Sequence, residues 1–382
     1  MVEQALLCRP ALLPDESLWS YFIRLAAANA YEPLSLLTGL CVRRLAALGL
    51  RDNLVHPRHP ETFSILASLT QLSSRTLANA SLHPFADAPL LSRSQDAIIY
   101  LEDGAPLSLL STFWRTRYLL PPEHAQFCPE CLQEAVYHRR AWALSDISAC
   151  LEHQRVLLDR CTHCDALVSV QDIVRCQCGR CGANLTRMDQ KHGVTAFGMF
   201  AQSIARSWWG LDSPVITSAE WTLLAQPFSI VYRLFMFLAQ RFAPGMSHNN
   251  GVYLAPHERY QAQLHALQAL TNWPVEFRKF LDAALKQDVR TQSICYGEDF
   301  GLPVYLKNGL ELDTWVQCFW ETEGFGFLRA ALLDFFEENN IQLCFEHGRL
   351  HLKIHCGEDL QRMARPLAQP QQRYMAKAVE KL

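Results

Sequence analysis

Cysteine spacing is the feature of this sequence that most constrains its fold. The chain has 382 residues and fourteen cysteines, and eight of the cysteines lie between Cys128 and Cys181. The amino terminus has an acid at position 3 and an apolar run interrupted by Arg9 and Pro10, which is not the pattern of a secretory signal. We therefore expect reduced thiols. Clustered C-x2-C pairs in a reducing compartment indicate metal ligands rather than disulfides.

The first predicted metal site consists of two short-spaced pairs. Cys128-x2-Cys131 is followed, after eighteen residues, by Cys150-x2-His153. A C-x2-C turn points both thiolates at one ion, and a second pair completes the tetrahedron that zinc favours. Four protein ligands leave no open coordination position, so we expect a structural zinc ion.

The second predicted metal site has five candidate thiols for four positions. It begins with Cys161-x2-Cys164 and ends in Cys176, Cys178 and Cys181. We favour Cys161, Cys164, Cys178 and Cys181, because Cys178-x2-Cys181 repeats the knuckle spacing and Gly182 permits the tight turn after it. Cys176 remains the alternative ligand. The predicted cofactors are thus two structural Zn²⁺ ions.

The remaining cysteines and the charged residues have simpler interpretations. We expect the other cysteines to be buried apolar residues: Cys8, Cys41, Cys295, Cys318, Cys344 and Cys356. Six arginines around the zinc ligands could contact phosphates, although nearby carboxylates dilute their charge: Arg139, Arg140, Arg155, Arg160, Arg175 and Arg180.

Helical patterns flank the cysteine-rich segment on both sides. Residues 61–70 and 74–81 form two predicted short helices with a turn at Gln71–Ser73, which is typical of a helix-turn-helix but also of a plain αα-hairpin. Near the other end, an amphipathic helix precedes a hairpin that turns at His347-Gly348, as in a winged helix or in ordinary packing. We predict a mainly α fold with small zinc-finger or zinc-ribbon modules. Its expected parts are an N-terminal helical region with a helix-turn-helix (1–120), a tandem zinc-finger region (121–190) and a C-terminal helical domain (191–382).

Charge and missing motifs exclude several classes of protein. The formal net charge of −3 argues against nucleic-acid binding through a globally basic surface. No stretch approaches the roughly 18 apolar residues of a membrane span. No phosphate-binding glycine loop, H-E-x-x-H helix or suitably placed H-x-E of a zinc deaminase is present. We therefore expect a protein that is not an enzyme and has no catalytic residues.

The motifs together resemble the TniQ family. The matching strings occur in this order: LPDESLWSYFIRLAAANAY, LASLTQLSSRTLANASLHPF, FCPECL, AWALSDISACLEHQRVLLDRC and the ending CGANL. They cover about residues 12–185, and the string C-x2-C…C-x2-H-x3-LLDRC-x2-C is specific. The half after residue 200 fits longer members more loosely.

The resemblance implies a bacterial, cytoplasmic target-selection adaptor of Tn7-like transposons. Such proteins link a target-recognition complex to an AAA+ regulator and a transposase. Some members dock on a CRISPR Cascade ribonucleoprotein, often as a homodimer, whereas TnsD-like members read an attachment site in DNA themselves. We favour docking, with weak or partner-dependent DNA contact, because the chain is acidic and its predicted recognition helix holds one arginine, Arg75. The alternatives are a TnsD-like DNA reader and, beyond the family, a zinc-dependent nucleic-acid enzyme or structural zinc scaffold.

Overall fold

The computed structural model divides into two compact units. Unit 1 comprises Met1–Ile216 and Met236–Leu264, and unit 2 comprises Thr217–Phe235 and His265–Leu382. Within these units the structure describes residues 5–31, 34–82, 98–100, 106–108, 120–190, 192–211, 226, 228–242, 254–291, 324–339, 341–346 and 349–354. No helix in these ranges is long and apolar enough to span a membrane.

Four helices form the N-terminal core of unit 1. They are α1 (Leu18–Ala28), α2 (Ser35–Ala47), α3 (Pro60–Thr70) and α4 (Ser74–Ala80). The Ser17 side chain caps α1 by accepting the backbone N–H of Ser20. The apolar face of α1 is buried in one cluster with residues of the other three helices: Leu18, Tyr21, Phe22, Leu25 and Ala26.

The turn between α3 and α4 lies where the sequence predicts it. Gln71 ends α3 with a φ of 61°, the left-handed conformation that glycine adopts most easily. Ser73 then caps α4 by accepting the Thr76 N–H. Upstream, the Asp52 carboxylate accepts the N–H groups of Arg58 and His59 before α3. The two short helices therefore begin and end within one residue of the predicted bounds, and the helix-turn-helix itself stays a prediction.

The cysteine-rich segment is built from short elements. They are α5 (Pro129–Glu134), a 3-10 helix (Arg140–Ala143), the hairpin of β3 (Ala149–Cys150) and β4 (Arg155–Val156), α6 (Val170–Arg175) and a second 3-10 helix (Leu185–Arg187). An earlier antiparallel pair consists of β1 (Ile98–Tyr100) and β2 (Pro106–Ser108). Trp142, in the insert between the two halves of the first predicted zinc site, is buried.

Two further helices pack on the cysteine-rich segment through a buried amide network. They are α7 (Ala196–Trp208) and α9 (Pro256–Leu270). Gln202 of α7 accepts the Ser148 and Ala149 N–H groups at 2.8 and 3.0 Å. Gln263 of α9 accepts the Gln202 amide at 2.7 Å and donates to the Asp146 carbonyl at 2.6 Å. Helix α7 and the part of α9 up to Leu264 thus belong to the same unit as the cysteines.

Helices and one hairpin make up the rest of the described structure. Helix α8 spans Phe228–Phe242. In unit 2, α10 (Val275–Thr291) is joined to α11 (Gly326–Glu338) by Arg278, which contacts Asp334 and Glu338 at 3.2 and 2.9 Å. The hairpin of β5 (Ile341–Glu346) and β6 (Arg349–Ile354) has Glu346 paired with Arg349.

The mainly α fold class is confirmed, and one prediction about the cysteines is wrong. Cys41 is buried as expected, but Cys8 is exposed, because it precedes α1 in a segment held through its backbone to Asn29. The burial of Cys295, Cys318, Cys344 and Cys356 lies outside what the structure describes. The winged helix and the three-part division at residues 120 and 190 stay predictions.

Candidate metal centres

The first candidate centre brings together the four residues of the first predicted site. Cys128 is the N-cap of α5 and Cys131 lies in its first turn, while Cys150 and His153 come from the β3–β4 hairpin. The Cys131 and Cys150 sulfurs are 3.5 Å apart. The Nδ1 atom of His153 lies 3.3 Å from the Cys131 sulfur and 3.5 Å from the Cys150 sulfur. All four ligand atoms lie within 4.8 Å of one another.

The second candidate centre collects the favoured four thiols. The sulfurs of Cys161 and Cys181 are 3.6 Å apart, and those of Cys164 and Cys178 are 3.7 Å apart. Again all four ligand atoms lie within 4.8 Å of one another. Each of these short distances joins a sulfur of the first C-x2-C turn to a sulfur of the second, so the two turns face each other across the cluster.

The two turns of the second centre share one backbone pattern. The N–H of Cys161 donates to the Ala166 carbonyl and the Asp165 N–H returns to the Cys161 carbonyl, both at 2.9 Å. The same two bonds recur in the other turn. The Cys178 N–H donates to the Ala183 carbonyl at 2.9 Å, and the Gly182 N–H donates to the Cys178 carbonyl at 2.8 Å.

The residue after the second ligand has a positive φ in both turns of the second centre. It is 56° at Asp165 and 73° at Gly182. The hairpin of the first centre is related: Gln154, directly after His153, has a φ of 51°, and Cys150 pairs with Arg155. Three of the four ligand pairs therefore end in a left-handed residue that turns the chain back across the cluster.

Cys176 lies outside the second group. It is the C-cap of α6, with a φ of 56°, and its sulfur is 3.5 Å from the Asn184 Oδ1 atom. The turn pattern just described starts at Cys178 rather than at Cys176. This geometry favours the predicted ligand set, in which Cys176 is not included.

Backbone and thiol donors make two of the cysteines more acidic. At Cys178, burial opposes ionisation, but the N–H groups of Cys181 and Arg180 and the thiols of Cys164 and Cys161 together outweigh it and lower the pKa of the thiol to about 7. At Cys150, the thiols of Cys128 and Cys131 and the His153 N–H lower the pKa. Each centre thus contains one thiol that ionises readily, as a metal ligand must.

The donor sets and spacings fit zinc. Four sulfurs bound at about 2.3 Å in a tetrahedron lie about 3.8 Å from one another. The observed sulfur–sulfur distances of 3.5 to 3.7 Å are close to that value and far too long for a disulfide. Both clusters could therefore hold zinc. Bound there, zinc would supply a structural cross-link between chain segments.

Carboxylates contact four of the six arginines near these centres. The Nη2 atom of Arg139 lies 3.6 Å from both Glu134 and Glu152. Its guanidinium also lies over the Tyr137 and Trp142 rings, 5.5 and 5.7 Å from their centroids. The other three pairs are Arg140 with Asp15 at 3.3 Å, Arg155 with Glu130 at 3.7 Å, and Arg160 with Asp165 at 3.5 Å.

The LPDES motif docks on the chain between the two halves of the first centre. Ser17 donates its N–H to the His138 carbonyl at 2.9 Å, and the Arg140 N–H donates to the Asp15 carbonyl at 2.6 Å. The buried Glu16 carboxylate accepts Arg24 at 2.6 Å and the Ser20 hydroxyl at 2.9 Å. The motif therefore joins the N-terminal helices to the first centre.

Comparison with protein families gives one match, and it spans both of these joined parts. The TniQ family model matches residues 7–157. Residues 7–157 thus carry a TniQ domain, which supports membership of the TniQ family. No curated protein matches the sequence. TniQ proteins are non-catalytic transposition adaptors, and membership suggests a target-selection protein of Tn7-like transposition, which works with partners of the transposition machinery.

The TniQ match includes the first centre and ends before the second. Cys128 to His153 lie inside residues 7–157, whereas Cys161 to Cys181 follow it. Two features of the centres were not predicted from the sequence: the contact of Glu134 with His153, and the position of the Asp172 carboxylate where a Cβ of residue 179 would lie. Glu134 stands three residues after Cys131, and that spacing was the available signal. The position of Asp172 beside residue 179 depends on how α6 packs and carries no local signal.

Proposed function

We propose that this TniQ protein is a non-catalytic adaptor that docks on a CRISPR Cascade ribonucleoprotein and links it to the AAA+ regulator and transposase. In this proposal the protein acts as a homodimer and finds DNA through its partners. The observation that carries the proposal is the pairing of arginines with carboxylates around the metal centres.

Charge is the reason that this pairing favours docking. Phosphate contacts dominate the affinity of proteins for DNA, and each contact needs an available cation. A phosphate that binds Arg139 would compete with two carboxylates, and one that binds Arg140 would compete with Asp15. Together with a net charge of −3, this arrangement supports a surface for a protein or ribonucleoprotein rather than for bare DNA.

A TnsD-like reader of an attachment site is the second candidate. The α3–α4 pair supports it, because a second helix after a tight turn is the element that enters the major groove in helix-turn-helix proteins. Against it, Arg75 and Asn79 are the exposed positions of the seven-residue helix α4, and one of them is charged. We therefore prefer the docking proposal.

We also propose that both centres bind structural zinc. The proposed ligands are Cys128, Cys131, Cys150 and His153 in the first centre, and Cys161, Cys164, Cys178 and Cys181 in the second. Structural zinc contributes roughly 10–16 kcal/mol of binding free energy to folding in small zinc-finger peptides. Short elements such as α5 and the β3–β4 hairpin have little core of their own, so this cross-linking explains their order.

One experiment distinguishes docking on a CRISPR ribonucleoprotein from direct reading of an attachment site. It identifies the RNA and the DNA sequences that this protein binds. The tagged full chain is purified from its host and its bound RNA is sequenced, and the isolated protein is offered a random duplex library at about 150 mM salt. Docking predicts recovery of CRISPR RNA and no enriched DNA sequence. An enriched DNA motif that survives this salt concentration, without CRISPR RNA, would establish the attachment-site reader instead.

Metal analysis tests the zinc proposal separately. The purified chain is expected to contain close to two zinc ions, and Cys128→Ser or Cys150→Ser is expected to make it insoluble. A content of one ion or none would refute the two-centre proposal. A folded Cys128→Ser protein with full metal content would remove Cys128 from the ligand set.

A further inference from the structure

The two ring nitrogens of His153 face different partners. Nδ1 lies 3.3, 3.5 and 3.7 Å from the sulfurs of Cys131, Cys150 and Cys128. Nε2 lies on the other side of the ring, 3.1 Å from the Oε1 atom of Glu134. A neutral imidazole has one nitrogen that can bind a metal and one N–H that can donate. The geometry therefore gives Nδ1 to the metal and leaves the N–H on Nε2 to donate to Glu134.

Glu134 is held in place for this contact. It is the last residue of α5, whose first turn contains Cys131. Its second carboxylate oxygen, Oε2, lies 3.6 Å from Arg139, and Arg139 is itself fixed over two aromatic rings. The Glu134 side chain is 58% exposed, but each of its oxygens has a separate partner.

We propose that Glu134 is a positioning residue of the first centre. Its carboxylate accepts the Nε2 N–H of His153, which fixes the ring orientation and the tautomer in which Nδ1 binds zinc. This inference rests on the zinc assignment proposed above. Carboxylates that accept a hydrogen bond from a metal-bound histidine make that nitrogen more basic, and their loss typically weakens metal affinity about 10- to 100-fold.

Glu152 provides a matched control on the same surface. It lies between Cys150 and His153 in sequence, is 60% exposed, and is 3.6 Å from the same nitrogen of Arg139. Its carboxylate is 3.7 Å from the Cys131 sulfur, whereas His153 Nε2 forms its hydrogen bond with Glu134. Removing either glutamate takes the same charge from the centre, so the comparison tests the contact that Glu134 makes with His153.

The test follows His153 itself during zinc removal. The zinc-loaded full chain is labelled with ¹⁵N-histidine and titrated with a chelator, and the His153 signals are assigned with His153→Cys. Because the second centre has no histidine among its proposed ligands, these signals report the first centre alone. We expect Glu134→Ala to weaken zinc binding about 10-fold and to broaden or shift the Nε2–H signal. Glu134→Gln, which keeps an acceptor oxygen, should recover part of the affinity, and Glu152→Ala should stay within about 2-fold of the native protein.

Three results would overturn the role of Glu134. They are equal losses in Glu134→Ala and Glu152→Ala, unchanged affinity in Glu134→Ala, and ligation of zinc by Nε2. A native chain that binds zinc in the second centre alone would refute the zinc assignment of the first centre, and the role of Glu134 with it. Circular dichroism of each variant checks that the helices remain folded.

Discussion

Ser17 and His138, which are 121 residues apart in sequence, are joined at both backbone and side chain. The Ser17 N–H donates to the His138 carbonyl at 2.9 Å, and the Ser17 hydroxyl lies 2.9 Å from His138 Nδ1. The His138 N–H in turn donates to the Ser20 hydroxyl at 3.1 Å. Through these bonds, the N-cap of α1 is also the attachment point of the chain segment between the two halves of the first centre.

Burial of His138 predicts that unfolding becomes easier in acid. Complete burial lowers the pKa of the imidazole from 6.5 to about 3, because the charged form loses its hydration. Above pH 6.5 the ring is neutral in both folded and unfolded chains and has no effect on the pH dependence. Below pH 6.5 the unfolded chain binds one more proton, so the free energy of unfolding falls by about 1.4 kcal/mol per pH unit until about pH 3.

The measurement compares the native protein with His138→Asn by urea unfolding between pH 7 and pH 4.5. Asn keeps a group that can bond to Ser17 and does not titrate. The two proteins share any acid release of zinc, so the difference between their slopes isolates His138. Equal slopes in this range would contradict a neutral, buried imidazole.

Gly179 lies beside Asp172, a residue of the capping box of α6, and a larger side chain at position 179 would meet the Asp172 carboxylate. A Cβ atom at this position would lie 2.6 Å from the Asp172 Oδ1 atom. The other oxygen of Asp172 accepts the N–H and hydroxyl of Ser169 at 2.9 and 2.8 Å in the capping box of α6. We expect Gly179→Ala to displace this carboxylate, to destabilise the protein by about 1 kcal/mol and to loosen the turn that carries Cys178.

A double-mutant cycle checks the cause of this effect. Asp172→Ala removes both the cap and the obstacle, so Gly179→Ala should cost much less in the Asp172→Ala background than in the native protein. Thermal unfolding and zinc content are measured for all four proteins. Additive losses would show that the Asp172 contact is not the reason for glycine at position 179.

The amide network between α7 and α9 is expected to tolerate apolar substitution poorly. Gln263→Leu has a similar volume but leaves the Gln202 amide and the Asp146 carbonyl without their bonds to Gln263 in a buried region. Each unsatisfied buried polar group costs about 1–3 kcal/mol. We therefore expect a clear fall in the temperature of unfolding for Gln263→Leu. Gln261→Leu, an exposed position on the same helix, is the control and should change stability little.

Serine substitution distinguishes the two neighbouring candidate ligands of the second centre. In the proposed ligand set, Cys176→Ser keeps about two zinc ions per chain, because its sulfur lies at the Asn184 side chain instead. Cys178→Ser should lose one ion, or bind it much more weakly, because a hydroxyl replaces a thiolate. Native mass spectrometry counts the ions in each protein. Loss of zinc from Cys176→Ser with retention in Cys178→Ser would reverse the assignment.

Local patterns were sufficient for the elements whose causes lie within a few residues. The bounds of α3 and α4, the turn at Gln71 and the spacing of the cysteine pairs all follow from periodicity, capping and short-range geometry. For the same reason the eight predicted ligands could be paired in sequence before their positions were known.

From the sequence alone, the spacing of the fourteen cysteines indicated two metal clusters. The net charge of −3 indicated a chain poorly suited to bind DNA by itself. Tertiary structure decided what those clusters join. It brought three pairs of residues within hydrogen-bonding distance: Ser17 with His138, Glu134 with His153, and Gln263 of α9 with Asp146. Such contacts connect segments 19 to 121 residues apart. They depend on how whole elements pack, and of the three only the Glu134 contact has a local signal, the spacing of Glu134 from Cys131.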